Sequence, residues 1–144
     1  MTTQALTEML GGTRVFVGRV IRSDLDLVEV VQEGFPTSAV DAMVDAGALS
    51  PQEVDEMVLR RDGLEARRRS NQPLTPEESD RLMRFARIAA LANETFGEQE
   101  KAARWLRKPN RGLGGAVPLE LLSTGEGARI VEESLLQIAH GIFP

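Results

Sequence analysis

An all-α fold is predicted by three features of the 144-residue sequence. Ala, Leu, Val, Glu and Arg dominate while aromatics are few, with five Phe, one Trp and no Tyr, which favours helices around a core of small side chains. Apolar residues recur at helical spacing over most of the chain. Helix start and stop signals punctuate it at intervals that leave little room for strands.

The elements follow in order. Residues 1 to 22 carry a polar lead, a Gly11-Gly12 pair and the mostly apolar run Val15 to Ile21, read as an extended segment or a first helix broken at Gly18. From Ser23 a Ser or Asp cap opens a helix with apolar Leu27, Val28 and Val31 at helical spacing, and Gly34 stops it before the Phe35-Pro36 turn. Residues 37 to 46 form the next, with Val40, Met43 and Val44 inward and Gly47 as its end. Ser50, Pro51 and Glu53 make a capping box for a helix over 51 to about 60, and LEARRR after Asp62-Gly63 is a short basic helix ending near Ser70-Asn71.

Thr75 and Glu78 form a second capping box and open the longest helix, which runs to Gly97. Its later half is apolar around much of its circumference, the mark of a helix packed on several sides. A helix over 98 to 108 ends at Pro109, because proline disfavours helix at the residue before it and has no N–H. After the glycine-rich corner, Pro118 starts a single turn through Leu122. Ser123-Thr124 then caps a final helix with Ile130, Val131, Leu135, Ile138 and Ala139 on one side, stopped by Gly141.

Composition bounds the function. No cysteine is present, so disulfides and thiolate metal sites are excluded, and the lone His140 cannot build a zinc site; no cofactor is expected. No apolar run approaches the roughly 20 residues needed to span a bilayer, so a soluble, cytoplasmic protein with no membrane partner is expected. The net charge of -5 conceals an asymmetry: residues 1 to 58 hold ten acids and three bases, whereas residues 60 to 87 hold eight arginines against five acids. No set of side chains suits catalysis, and the chain is read as a non-enzyme.

Three stretches are candidate sites. Residues 51 to 60 and 63 to 69 have the order of a helix-turn-helix, in which Arg60, Arg61, Arg67, Arg68 and Arg69 meet phosphates or guanine edges. The usual turn glycine is replaced by Leu59 and the small residue of the first helix by Asp55; the alternative is a solvated basic helix pairing with the acidic N-terminal half. In the second stretch, Gly112, Gly114 and Gly115 precede the helical turn at Pro118 and offer either backbone amides to an anion or positive φ to a tight corner. In the third, Ile142 closes the last helix against Leu136, and Phe143 before Pro144 forms an apolar peg for a partner's pocket.

From about Leu74 onward the chain resembles the C-terminal toxin-binding domain of the Xre/MbcA/ParS antitoxins, partners of RES-domain toxins. The matching words are LTPEESDRLMRFARIAALA, FGEQEKAARWLRKPN and LGGAVPLELLSTGEGARIVEESLLQIAHGIF, and weaker similarity reaches upstream through GFPTSAVDAMVDAGALSPQEVDEM to an Xre-like helix-turn-helix. The resemblance implies a division into residues 1 to 72 and 73 to 144. It implies an antitoxin of a type II module that occludes the active site of an NAD-consuming RES toxin, forms a homodimer and represses its own operon at operator DNA. Toxin-binding positions carried over are His140, Gly141, Ile142, Phe143 and Pro144, with Asn110 and Arg111 in the nearby loop. Trp105, Pro109, Leu113, Gly114, Gly115, Pro118 and Gly127 match motif positions that shape the domain.

Overall fold

The computed structural model describes residues 2–141 and bears out the all-α expectation: the described residues hold eight α-helices, three short 3-10 segments and no strand. In order the helices are α1 (Thr3–Met9), α2 (Asp24–Glu33), α3 (Ser38–Asp45), α4 (Pro51–Met57), α5 (Arg61–Ser70), α6 (Pro76–Phe96), α7 (Gln99–Arg107) and α8 (Gly125–Ala139). They divide into two units, residues 2–86 and 87–141, so α6 gives its first half to one and its second half to the other. The division expected at 72/73 lies ahead of α6.

In the first unit the caps are where the sequence puts them. Ser23 accepts the amide of Asp26, whose carboxylate accepts the amides of Arg22 and Ser23. Ser50 and Glu53 make the same reciprocal pair at α4, and Thr75 and Glu78 at α6. Each box satisfies amides that a helix start leaves without partners. Of the two readings of the Val15 to Ile21 run, the broken helix is not formed: α1 lies ahead of it, a 3-10 turn, Gly12–Arg14, follows α1, and Gly18 has φ 74°. Val15 and Phe16 are buried, and the Phe16 ring meets that of Phe35 edge-on at 5.5 Å.

The core of this unit gathers Leu6, Leu27, Phe35, Met43, Leu64 and Leu82. One buried polar side chain, Ser79, has both needs met: its hydroxyl accepts the amide of Phe35 at 2.8 Å and donates to the carbonyl of Thr75 at 2.8 Å. The 34–35 turn is thereby tied to α6, and the amide of Leu74 closes on the carbonyl of Phe35 at 2.9 Å. Gly34, at φ 94°, has no room for a side chain, since a Cβ would lie 2.1 Å from the carbonyl oxygen of Leu74.

In the second unit, Ile88, Leu91 and Ala92 of α6 are buried, as are Ala102 and Leu106 of α7 and Val131 and Leu135 of α8. The 3-10 turn Pro118–Ser123 buries Pro118, Leu119 and Leu122, and α7 and α8 both pack on it. Thr124 caps α8 by accepting the amide of Gly127 at 3.0 Å. Phe96 and Trp105 bring their rings to 5.8 Å across the α6–α7 bend. Ile130 and Ala139, expected on the inward side of α8, are exposed; the helix buries a narrower stripe centred on Val131 and Leu135.

Candidate functional site

The helix pair of the first unit is α4 and α5, joined by Val58, Leu59 and Arg60. α4 ends at Met57 and α5 starts at Arg61, earlier than the sequence suggests in both cases. Asp55 explains the early start: its Oδ1 accepts the amide of Arg61 at 2.7 Å, so a carboxylate on the first helix caps the second. Leu59 is buried, its amide bonds to the carbonyl of Val54, and among the described residues only Asn71 has a positive φ outside glycine. The turn therefore has no need of glycine, and both departures from the usual motif have structural work to do.

The five arginines expected at this site fall into two groups. Arg67 is half-buried and ion-paired with Glu78, and Arg68 is ion-paired with Asp41 of α3. For Arg68 the alternative of pairing with the acidic N-terminal half is realised. Arg60, Arg61 and Arg69 are exposed and make no ion pair among the described residues. Burial pushes the Glu78 carboxyl up, but the hydrogen bonds from Arg67 and the Thr75 amide outweigh it and hold the group below its ordinary range. A further arginine, Arg81, donates its Nε–H to the carbonyl of Val58 at 2.9 Å, fixing the end of α4.

Residues 62, 65, 66 and 69, not singled out by the sequence reading except for Arg69, are all exposed and lie along one line of α5, away from Gly63, Leu64 and Arg67. The signal was available in the i, i+3, i+4, i+7 spacing.

In the second unit the glycine corner is closed on itself. The side chain of Asn110 accepts the amide of Gly112 at 2.8 Å, its carbonyl accepts the amide of Gly115 at 2.8 Å, and its amide donates to Ala116 at 2.9 Å. The amide of Gly114 donates to Arg111 at 3.2 Å. The amides of Gly112, Gly114 and Gly115 are all taken by the loop's own acceptors, which overturns the anion-binding reading. Gly114 and Gly115 have φ of 69° and 86°, so they serve the turn. Leu113 is half-buried, Pro109 and Arg111 are exposed, and Trp105 is partly covered.

Gly127 has a sharper role. A Cβ there would lie 1.8 Å from the carbonyl oxygen of Leu121, so α8 seats on the preceding turn only without a side chain at this position. His140 is the exposed residue after α8, with its amide on the carbonyl of Leu136 at 3.0 Å, and Gly141 follows at φ 74°. Ile142, Phe143 and Pro144 lie outside the described residues. No hydrogen bond or ion pair among the described residues links Asn110 and Arg111 to His140 and Gly141.

The outward face of α8 carries Leu136, 41% exposed, and Ile130, 38% exposed, beside an ion triad in which Arg129 contacts Glu126 and Glu133. Arg129's hydrogen bond and charge lower the Glu126 carboxyl, and Glu126 in turn raises the guanidinium. Among the described residues, the other large apolar side chains on the surface are Val17, Val20, Leu25 and Val28, all within the first unit. No group of acidic, His or Cys side chains among the described residues could hold a metal ion, and no helix there is long and apolar enough to cross a membrane.

Comparisons with known proteins agree with this two-unit layout. A family model for the antitoxin Xre-like helix-turn-helix domain matches residues 26–87. One for the antitoxin Xre/MbcA/ParS C-terminal toxin-binding domain matches residues 91–141. An antitoxin Xre of Pseudomonas putida is 41% identical over 121 residues, 84% of this chain and 76% of its own. Another, of Photorhabdus laumondii, is 33% identical over 132 residues, 88% and 86% of the two chains. A Sphingobium protein named Prs ADP-ribosylating antitoxin is 30% identical over 131 residues, 84% and 82%. With a helix pair capped across its turn in one half and a corner-braced C-terminal helix in the other, the chain belongs to the Xre/MbcA/ParS family of antitoxins.

Proposed function

We propose that this antitoxin neutralises a RES-type, NAD-consuming toxin of a type II module by laying the outward face of α8, with residues 140–144, over the toxin's active site. The observation that carries this reading is the apolar, solvent-facing Leu136 on the last turns of α8, leading directly to His140 and Gly141 within a matched toxin-binding domain. Exposed aliphatics at the end of a rigid helix give a partner something to bury at little ordering cost. Asn110 and Arg111, on a self-braced corner, serve as a secondary contact. The relative named for Prs ADP-ribosylation supports an ADP-ribosyl-transferring partner. In this reading the chain acts by occlusion in the cytoplasm, without catalysis or cofactor of its own.

The helix-turn-helix unit serves operon autorepression on the same reading. Arg60, Arg61 and Arg69 are the cations free to meet phosphates, while Arg67 and Arg68 hold the helix in place. Val17, Val20, Leu25 and Val28 offer the apolar surface for a homodimer, which a two-fold operator requires. Co-expression with a RES-type toxin, the neighbouring open reading frame being the first to try if it encodes one, tests the first part: growth is restored by the full chain, and failure to restore it would remove the toxin assignment. A gel shift on the chain's own promoter at low salt tests the second, because undetectable binding there would remove DNA as a partner.

A further inference from the structure

We infer that the outward line of α5, led by Asp62 and Glu65, reads bases in the operator, so that specificity rests on carboxylates selecting cytosine while arginines supply the grip. The inference rests on the proposal that the helix-turn-helix binds DNA and adds which side chains discriminate and what they accept.

Three observations carry it. Asp62, Glu65, Ala66 and Arg69 are exposed on one line of α5, on the side away from Leu64, which is buried, and from Arg67, which is held by Glu78. A recognition helix enters the major groove with its N-terminal residues toward the base edges, and Asp62 and Glu65 lie in the first half of α5. Both carboxylates are without a hydrogen bond or ion pair among the described residues, so nothing in the domain occupies them. The line from Asp62 to Arg69 rises about 10 Å along the helix axis, the length of roughly three base pairs.

Chemistry then fixes the choice of base. An ionised carboxylate only accepts hydrogen bonds. In the major groove guanine presents two acceptors and thymine an acceptor and a methyl, both unfavourable to it. Cytosine presents an amino donor alone, and adenine an amino donor beside an acceptor. Cytosine is therefore the best partner for Glu65 and Asp62. Ala66 leaves room for a thymine methyl, and Arg69, at the far end of the line, takes a phosphate. Arg60 and Arg61, ahead of the line, offset the local repulsion between two carboxylates and the DNA backbone. The bland role for Asp62 is to favour the positive end of α5, but Glu65 lies beyond the first turn and has no such role.

The test is selection from a randomised duplex library at fixed low salt, using the full chain, Glu65→Gln, Asp62→Asn and Arg69→Ala. All three substituted positions are exposed, so folding is checked only as a control. The expected result is cytosine at fixed positions in each half-site, with Glu65→Gln and Asp62→Asn each relaxing one position by about tenfold. Arg69→Ala should weaken all sites alike without changing the preference. The inference is overturned if the selected site is unchanged in both carboxylate variants. It is equally overturned if those variants bind every duplex more tightly with no change of preference, because the carboxylates would then be repulsive only. Failure of the unsubstituted chain to select any sequence would instead overturn the DNA-binding reading beneath it.

Discussion

Two residues show how single positions govern this fold. At Gly127 the clash facing an added methyl is with the backbone carbonyl of Leu121, at 1.8 Å to the oxygen and 2.8 Å to the carbon, so no side-chain rotation relieves it. Gly127→Ala should cost about 3 kcal/mol or more, above the usual range for a small overpacked methyl, read as a fall in the urea midpoint. An unchanged midpoint would mean that α8 does not seat on the 118–123 turn as described. Glu78 gives a pH signature. Its carboxyl lies below the ordinary 4.5 in the folded state, so its contribution is complete above that value and is lost as pH falls through the folded value. Glu78→Gln should therefore be less stable than the unsubstituted chain at pH 7, with the gap closing as pH falls below the ordinary carboxyl range. A gap that widens on acidification would contradict the Arg67–Glu78 pair as the cause.

At the scale of elements, the most informative feature is Asp55, on α4, capping α5. Asp55→Ala removes a cap and should cost about 1 kcal/mol, with faster amide exchange at Arg61 and the first turn of α5. The companion expectation is that Asp55→Asn, which keeps an accepting oxygen, loses less. Much at this scale was legible in the sequence. Ser23, Ser50 and Thr75 announce helix starts because a cap is a local bond between residues three apart, and Pro109 and Gly34 announce ends for equally local reasons. What was not legible depends on neighbours distant in the chain. Nothing local marks Arg67 and Arg68 as occupied, because their partners Glu78 and Asp41 arrive from α6 and α3. Ile130 could not be told from a core residue, since helical spacing gives a stripe's direction and not its width. The loop glycines looked equally fit for an anion or a turn until Asn110 was seen to use up their amides.

For the molecule as a whole, family, fold class and the presence of a helix-turn-helix and a toxin-binding part followed from words of sequence, whereas the helix-turn-helix match runs on through residue 87 and the toxin-binding match covers 91–141, past the division expected at 72/73. The exposure of Val17, Val20, Leu25 and Val28 was not legible there: Val17 and Val20 near Gly18 read equally well as core, and Val28 shares the helical spacing of the buried Leu27. If these side chains join two copies, Leu25→Asp combined with Val17→Asp should convert a dimer to a monomer by light scattering while helical circular dichroism is retained. A dimer of unchanged mass would place the interface elsewhere.

The central claim is that the end of α8 and residues 140–144 disable a toxin. It is tested by measuring NAD consumption by a RES-type toxin mixed with three forms of this antitoxin: the full chain, a chain ending at Gly141, and Leu136→Asp. Full inhibition is expected from the first and at least tenfold loss of inhibition from each of the others, with unfolding midpoints little changed for both. Complete inhibition by the chain ending at Gly141 and by Leu136→Asp would contradict it.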